Sequence, residues 1–197
     1  MGTVTTSGYV SADGHVVEPA DLWTARMDTR FRDRAPRVDS QPDADYYLID
    51  GLSPLPVGLE GVSMEDKISG QVKSPKGRRH SETRPGANDP HARLKDQEMD
   101  HVRAEVIYPG VGLFLGVAPD GEYVRECYRV YNDWLSEFCS AAPDRLLGVG
   151  LLPMKGPVAW AVEEAERAAK MGLQSLAIPS EVPGRSYQEP EFEQLWA

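Results

Sequence analysis

Cysteine is scarce in this chain: Cys127 and Cys139 are the only two among 197 residues. A disulfide framework is thereby excluded, because such frameworks need several cysteines packed densely along a short chain. Both lie on one predicted helix, which sets them roughly 18 Å apart at a rise of 1.5 Å per residue, beyond disulfide reach. A reducing, cytoplasmic compartment fits that usage. Long apolar runs are also missing, and no stretch approaches the roughly 20 apolar residues that span a bilayer. Residues 1–8 are rich in Thr, Ser and Gly and lack a basic start followed by an apolar segment, so they read as a short frayed tail and not as a signal peptide. Positive charge is in deficit, with 21 Lys and Arg against 31 Asp and Glu and a net charge of −10 at pH 7. A surface of that sign repels phosphate backbones and anionic lipid, which argues against nucleic acid or membrane as partners. Histidine is rare too: His15, His80, His91 and His101 are the whole supply.

What remains is the composition of an ordinary soluble domain, 41% hydrophobic and 26% charged. Tyr9 to Ala12 reads as a short strand that runs into Asp13-Gly14-His15, and Pro19 ends the regular structure. A helical turn follows, burying Leu22 and Trp23. Over residues 28–88 the pattern weakens into an excursion rich in Pro, Gly and charge. Within it, Tyr46 to Ile49 and Leu55 to Leu59 read as two arms of a hairpin, with Asp50-Gly51 as a type I′ turn. Ser74 to Gly86 reads as a solvated loop, and a loop of that length suggests a lid or similar role.

Order returns at Asp89-Pro90, a helix cap with proline in the first position. A helix to His101, a strand over 104–109 and a Gly-rich loop over 110–119 follow. Val124, Cys127, Tyr128, Tyr131, Leu135, Phe138 and Cys139 then recur at three- and four-residue steps, marking the apolar face of a helix over 120–141. Trp134, Tyr131 and Phe138 read as core. Residues 146–153 read as a strand covered on both faces, 157–171 as a helix stopped by Gly172, 173–178 as a strand, and 190–196 as a helix. Strand–helix alternation implies a parallel sheet with right-handed crossovers. Three strands end in proline (Pro109, Pro153, Pro179), which favours a barrel whose loops open at one end. About four βα units are present, half of what a (β/α)8 barrel needs, so residues 1–197 read as one partial barrel domain. An uncovered sheet edge in such a half-barrel invites pairing with a second copy, that is, a homo-oligomer.

Chemistry concentrates in Asp13-Gly14-His15. Residues two apart on a strand point the same way, so the Asp13 carboxylate and the His15 imidazole are expected side by side at the mouth. Carboxylate oxygen with neutral imidazole suits a divalent metal, zinc first and manganese as the alternative. Gly14 is expected to let the backbone pass close to a bound group. His80, His91 and His101 read as surface histidines, and Arg78-Arg79-His80 as solvated. Gly110-Val111-Gly112 looks like half a phosphate loop but lacks the Lys-Ser/Thr that would complete it.

Ser11 to Pro19 with Leu22-Trp23, Arg93 to Pro109, Tyr131-Asn132-Asp133-Trp134-Leu135 with Pro143 to Gly148, and Pro190 to Trp196 together resemble the amidohydrolase-related family, which includes decarboxylases such as γ-resorcylate decarboxylase. The resemblance covers nearly everything except residues 28–88. It implies the N-terminal half of a TIM barrel that holds one divalent metal at its mouth, with Asp13 and His15 as two ligands. The family's further His and Asp would fall beyond Ala197, which would leave this chain with little turnover or make it a non-catalytic, self-associating scaffold. A carboxylate in the first ligand position implies decarboxylation ahead of hydrolysis, on a small carboxylated substrate. Arg93 falls where the family grips a substrate carboxylate. One departure is His101, where a glycine is usual.

Overall fold

The computed structural model describes residues 8–59 and 77–197. The proposed tail, apart from Gly8, and residues 74–76 of the expected loop lie outside them. Four parallel strands form the main sheet in the order β1 (Tyr9–His15), β5 (Val102–Tyr108), β6 (Leu146–Leu151) and β7 (Ser175–Ala177). Helices α2 (Pro90–Met99), α4 (Gly121–Cys139) and α5 (Val158–Lys170) precede or join these strands. This is the expected βα alternation, and sequential strands lie next to one another as in a barrel wall.

The apolar period that marked α4 is the period it buries. Val124, Cys127, Tyr131, Leu135 and Phe138 are all buried, against a sheet that contributes Ile107, Leu146 and Leu151. Each such side chain contributes about 2 kcal/mol by leaving water. Asp120 caps α4 by accepting from the Glu122 and Tyr123 amides at 3.1 and 3.2 Å. Asp89 caps α2 through the Ala92 amide at 2.9 Å, with Pro90 at the first position as expected. Asn132 is fully buried and ties three elements together. Its amide donates to the Leu151 carbonyl at 3.0 Å and to Glu164 at 2.6 Å, and its oxygen accepts from the Leu151 amide at 2.8 Å. In the Tyr131-Asn132-Asp133 run, then, Asn132 joins α4 and α5 to the end of β6.

Two local expectations are corrected between α2 and α4. The helix expected to reach His101 ends at Met99, and His101 takes a left-handed φ of 55°, the position a glycine would occupy at a helix exit. The Gly-rich loop contains a short helix, α3 (Gly112–Leu115).

The excursion is more ordered than its sequence suggests. After α1 (Leu22–Arg26), strands β2 (Arg37–Ser40), β3 (Asp45–Leu48) and β4 (Leu55–Pro56) form an antiparallel sheet. The β3–β4 hairpin is as expected. Its connection, however, is the six residues 49–54, not a two-residue turn, because Tyr47 pairs with Leu55. β2 was not anticipated: half its residues are charged and none is fully buried. The reading of the segment after residue 76 as solvated is also corrected. Arg78 is buried, Arg79 pairs with the buried Asp45 at 3.0 Å, and short 3-10 turns occur at His80–Glu82 and Pro85–Ala87. Among the described residues no helix is long and apolar enough to cross a membrane.

Candidate metal-binding site at the strand mouth

β1 delivers Asp13 and His15 to the same side. His15 Nε2 lies 3.5 Å from an Asp13 carboxylate oxygen, and both side chains reach solvent. The pairing register slips by one residue between Ser11 and Gly14, so β1 bulges where Asp13 sits. The other imidazole nitrogen, Nδ1, is 2.8 Å from the Pro109 carbonyl. A carbonyl only accepts, so Nδ1 carries a hydrogen, and in the neutral imidazole the lone pair is on Nε2. The imidazole also leans on the Tyr108 ring, with centroids 5.8 Å apart. A backbone acceptor behind a free imidazole nitrogen is the arrangement that prepares a histidine for a metal. Among the described residues no third His, Cys, Asp or Glu joins the pair.

Gly14 faces the other way, and its role differs from the one expected. A Cβ there would collide with the Glu105 carboxylate. Glu105 lies behind β1, and Arg93 grips it at both oxygens: Nε to Oε2 at 2.8 Å and Nη2 to Oε1 at 2.6 Å. Gln97 adds a third bond at 3.0 Å. Gly14 thus makes room for an internal carboxylate and not for a bound group. Arg93 Nη1 reaches the His15 carbonyl at 3.1 Å and the Gly86 carbonyl at 3.3 Å. The carboxylate that Arg93 holds in this structure is therefore Glu105, and the same guanidinium braces the strand that carries His15.

Glu18 had no place among the sequence candidates. It is fully buried, and its carboxylate accepts from the Gly110, Val111 and Gly112 amides at 3.2, 3.1 and 3.1 Å. The half phosphate loop is thus an anion nest filled by the chain's own carboxylate, and a Cβ on Gly112 would come within 2.9 Å of it. Burial pushes the Glu18 carboxyl up to about 7 even though the three amides pull it down. The signal was present in Gly-Val-Gly, but only the fold shows which anion it meets. His80, expected at the surface, is half-buried and bonds the Glu18 carbonyl oxygen through Nε2 at 3.0 Å. His91 and His101 are exposed, as expected.

Two concavities flank the mouth. One, about 170 Å³, adjoins His15 and is lined by Arg78, Arg79, Arg84 and Arg93 together with Glu82 and Asp96. The other, about 650 Å³, is mostly apolar and lies beyond the ends of β6 and β7, bounded by Tyr128, Leu152, Met154, Lys155, Ile178 and Val182.

No protein-family model matches the chain. No curated protein matches it either. Solved structures do. An amidohydrolase from Mycobacterium avium subsp. paratuberculosis aligns with 96% of this chain at 21% identity and a TM-score of 0.71, using 55% of its own length. A 5-carboxyvanillate decarboxylase from Sphingomonas paucimobilis aligns with 95% at 18% identity and a TM-score of 0.53, using 47% of its length. Another from Novosphingobium aromaticivorans, solved with bound manganese, aligns with 98% at 14% identity and a TM-score of 0.53, using 48% of its length. The chain spans about half the length of the structures it matches, and its fold, parallel strands joined by helices, is that of about half of their TIM barrel.

Proposed function

We propose that this chain belongs to a divalent-metal-dependent enzyme that decarboxylates or hydrolyses a small carboxylated substrate, with Asp13 and His15 supplying two of the metal's ligands. The observation that carries this reading is the pairing of the two side chains at 3.5 Å, with His15 Nδ1 held by the Pro109 carbonyl and Nε2 turned toward the Asp13 carboxylate. A carboxylate oxygen beside a neutral imidazole is a donor set suited to zinc or manganese. Manganese in the Novosphingobium decarboxylase lends that metal support. A divalent ion held there would polarise a substrate oxygen or acidify a bound water.

The chain's own residues shape the rest. The arginine-lined cavity is smaller than the roughly 300 Å³ at which ligand pockets usually begin, so it suits a carboxylate group and not a whole substrate. The larger apolar groove suits the substrate's body, and strand C-terminal ends are where barrels place their chemistry. Arg93 enters this reading mainly as a brace. Toward a substrate it offers the one Nη2 hydrogen that Glu105 leaves unused.

The test is metal binding by calorimetry and by manganese electron paramagnetic resonance. One ion per chain is expected, weakened roughly tenfold or more by Asp13→Ala or His15→Ala. Binding indifferent to both substitutions would overturn the reading. A second reading, a non-catalytic scaffold that pairs with another copy, draws on the outer strands β1 and β7, each paired on one side only among the described residues. Light scattering decides it, since a monomer at micromolar concentration counts against it.

A further inference from the structure

The Pro109–Gly110 peptide group touches the candidate site on one side and the buried carboxylate on the other. Its carbonyl oxygen accepts from His15 Nδ1 at 2.8 Å. Its N–H donates to Glu18 Oε1 at 3.2 Å. The peptide is trans, so these two groups point in opposite directions from one rigid plane. Any rotation of that plane moves both bonds together.

We propose that Glu18 is a positioning residue, which sets the tautomer and orientation of the His15 imidazole through the Pro109–Gly110 peptide. Three observations carry this. First, Glu18 is fully buried and locked by three consecutive amides, so its carboxylate is a fixed point and not a solvated charge. Second, Glu18 is anchored at its main chain as well, by His80 Nε2 at 3.0 Å, and its neighbour Val17 bonds the Ala87 carbonyl at 3.0 Å. Third, a peptide whose N–H meets a carboxylate is polarised, which makes its carbonyl a stronger acceptor. The Nδ1 hydrogen is thereby held in place, and electron density is pushed toward Nε2, the nitrogen that faces Asp13. A carboxylate that bonds a ligating histidine directly does the same work in many metal sites. Here a peptide stands between the two.

The consequence for metal affinity rests on the function proposed above, whereas the tautomer claim does not. The first measurement is therefore long-range nitrogen–proton correlation of the His15 ring in the metal-free, full chain at about pH 8, above the value of about 7 to which burial raises the Glu18 carboxyl. The wild type is expected to show the neutral imidazole with its hydrogen on Nδ1. Glu18→Gln, which sets an N–H₂ against donor amides, is expected to give a mixture of both tautomers and to weaken zinc binding roughly tenfold to a hundredfold. Asn132→Ala, buried elsewhere, serves as a control of comparable disruption that leaves the tautomer unchanged. Should the amide variant not fold, Glu18→Asp makes the same comparison by withdrawing the carboxylate one methylene. A wild-type His15 with its hydrogen on Nε2 overturns the proposal. So does a folded Glu18 variant that moves the Gly110–Gly112 amide resonances yet leaves the tautomer unchanged. A chain that takes up no zinc but shows the tautomer change sinks the metal reading and keeps this one.

Discussion

The Glu105 carboxylate occupies the space that a Cβ on Gly14 would need. One methyl group at position 14 would therefore push against a buried ion pair and not merely against another side chain. Gly14→Ala is expected to destabilise the fold by about 3 kcal/mol, the scale on which disturbed buried pairs fall. Urea unfolding measures it. In a Glu105→Ala background the penalty should shrink to under about 1 kcal/mol, and an undiminished penalty would show that the strain lies elsewhere.

Arg93 and Glu105 form the second half of the same relationship. Their bidentate contact is nearly shielded from water, with 15% and 10% of the side chains exposed. Arg93→Ala leaves the carboxylate with only Gln97, and a loss of about 3–5 kcal/mol is expected. Arg93→Lys cannot reproduce the planar fork and should recover less than half of that loss. A lysine variant as stable as wild type would count against the bidentate geometry. Because Arg93 also holds the His15 carbonyl, the alanine variant should broaden the His15 ring resonances as well.

How much of this was legible beforehand depended on whether the cause was local. The α4 face, the Asp89 cap and the proline-ended strands are written in neighbouring residues, so periodicity and capping chemistry reveal them. The side-by-side placing of Asp13 and His15 was legible from alternation along one strand, and it survives the bulge at Asp13, since the two side chains meet at 3.5 Å. Glu18, Glu105 and the Gly110–Gly112 nest were not, because each finds its partner far along the chain: 92 residues separate Glu18 from Gly110. Arg93 is a different case. The resemblance placed it near a carboxylate, and a carboxylate is there, but it belongs to the chain. β2 escaped because its alternation is masked by charge.

Glu18 makes stability depend on pH. Its folded-state carboxyl is raised from 4.5 to about 7, so the native state holds that proton more tightly than the unfolded chain does. The stability this contributes is complete below about pH 4.5 and is lost as pH rises through about 7. Carboxyls lowered by their partners, such as Asp120 beneath the Tyr123 amide and Arg34, act below their ordinary range and so outside this window. The stability of wild type relative to Glu18→Gln should therefore fall by roughly 2–3 kcal/mol between pH 4.5 and 8. Urea midpoints taken across that range decide it, and a constant difference would mean that the carboxyl titrates as an exposed one.

His101 gives a prediction of the opposite sign. A residue with a side chain pays about 1–2 kcal/mol to sit in the left-handed region, and His101 sits there with φ 55°. Its side chain is exposed, and the bond that Tyr9 makes to it uses the backbone carbonyl, at 3.1 Å. His101→Gly thus removes strain without removing a contact. The gain is reduced because glycine also enlarges the unfolded ensemble, which leaves a net stabilisation of about 0.5–1 kcal/mol, or a rise in Tm of a few degrees. The same substitution should leave metal binding unchanged, since His101 sits at the start of β5 and the Asp13–His15 pair at the far end of β1. Calorimetric melting and a zinc titration on the one variant check both halves, and a destabilised His101→Gly would show that the imidazole contributes more at this exit than its exposure indicates.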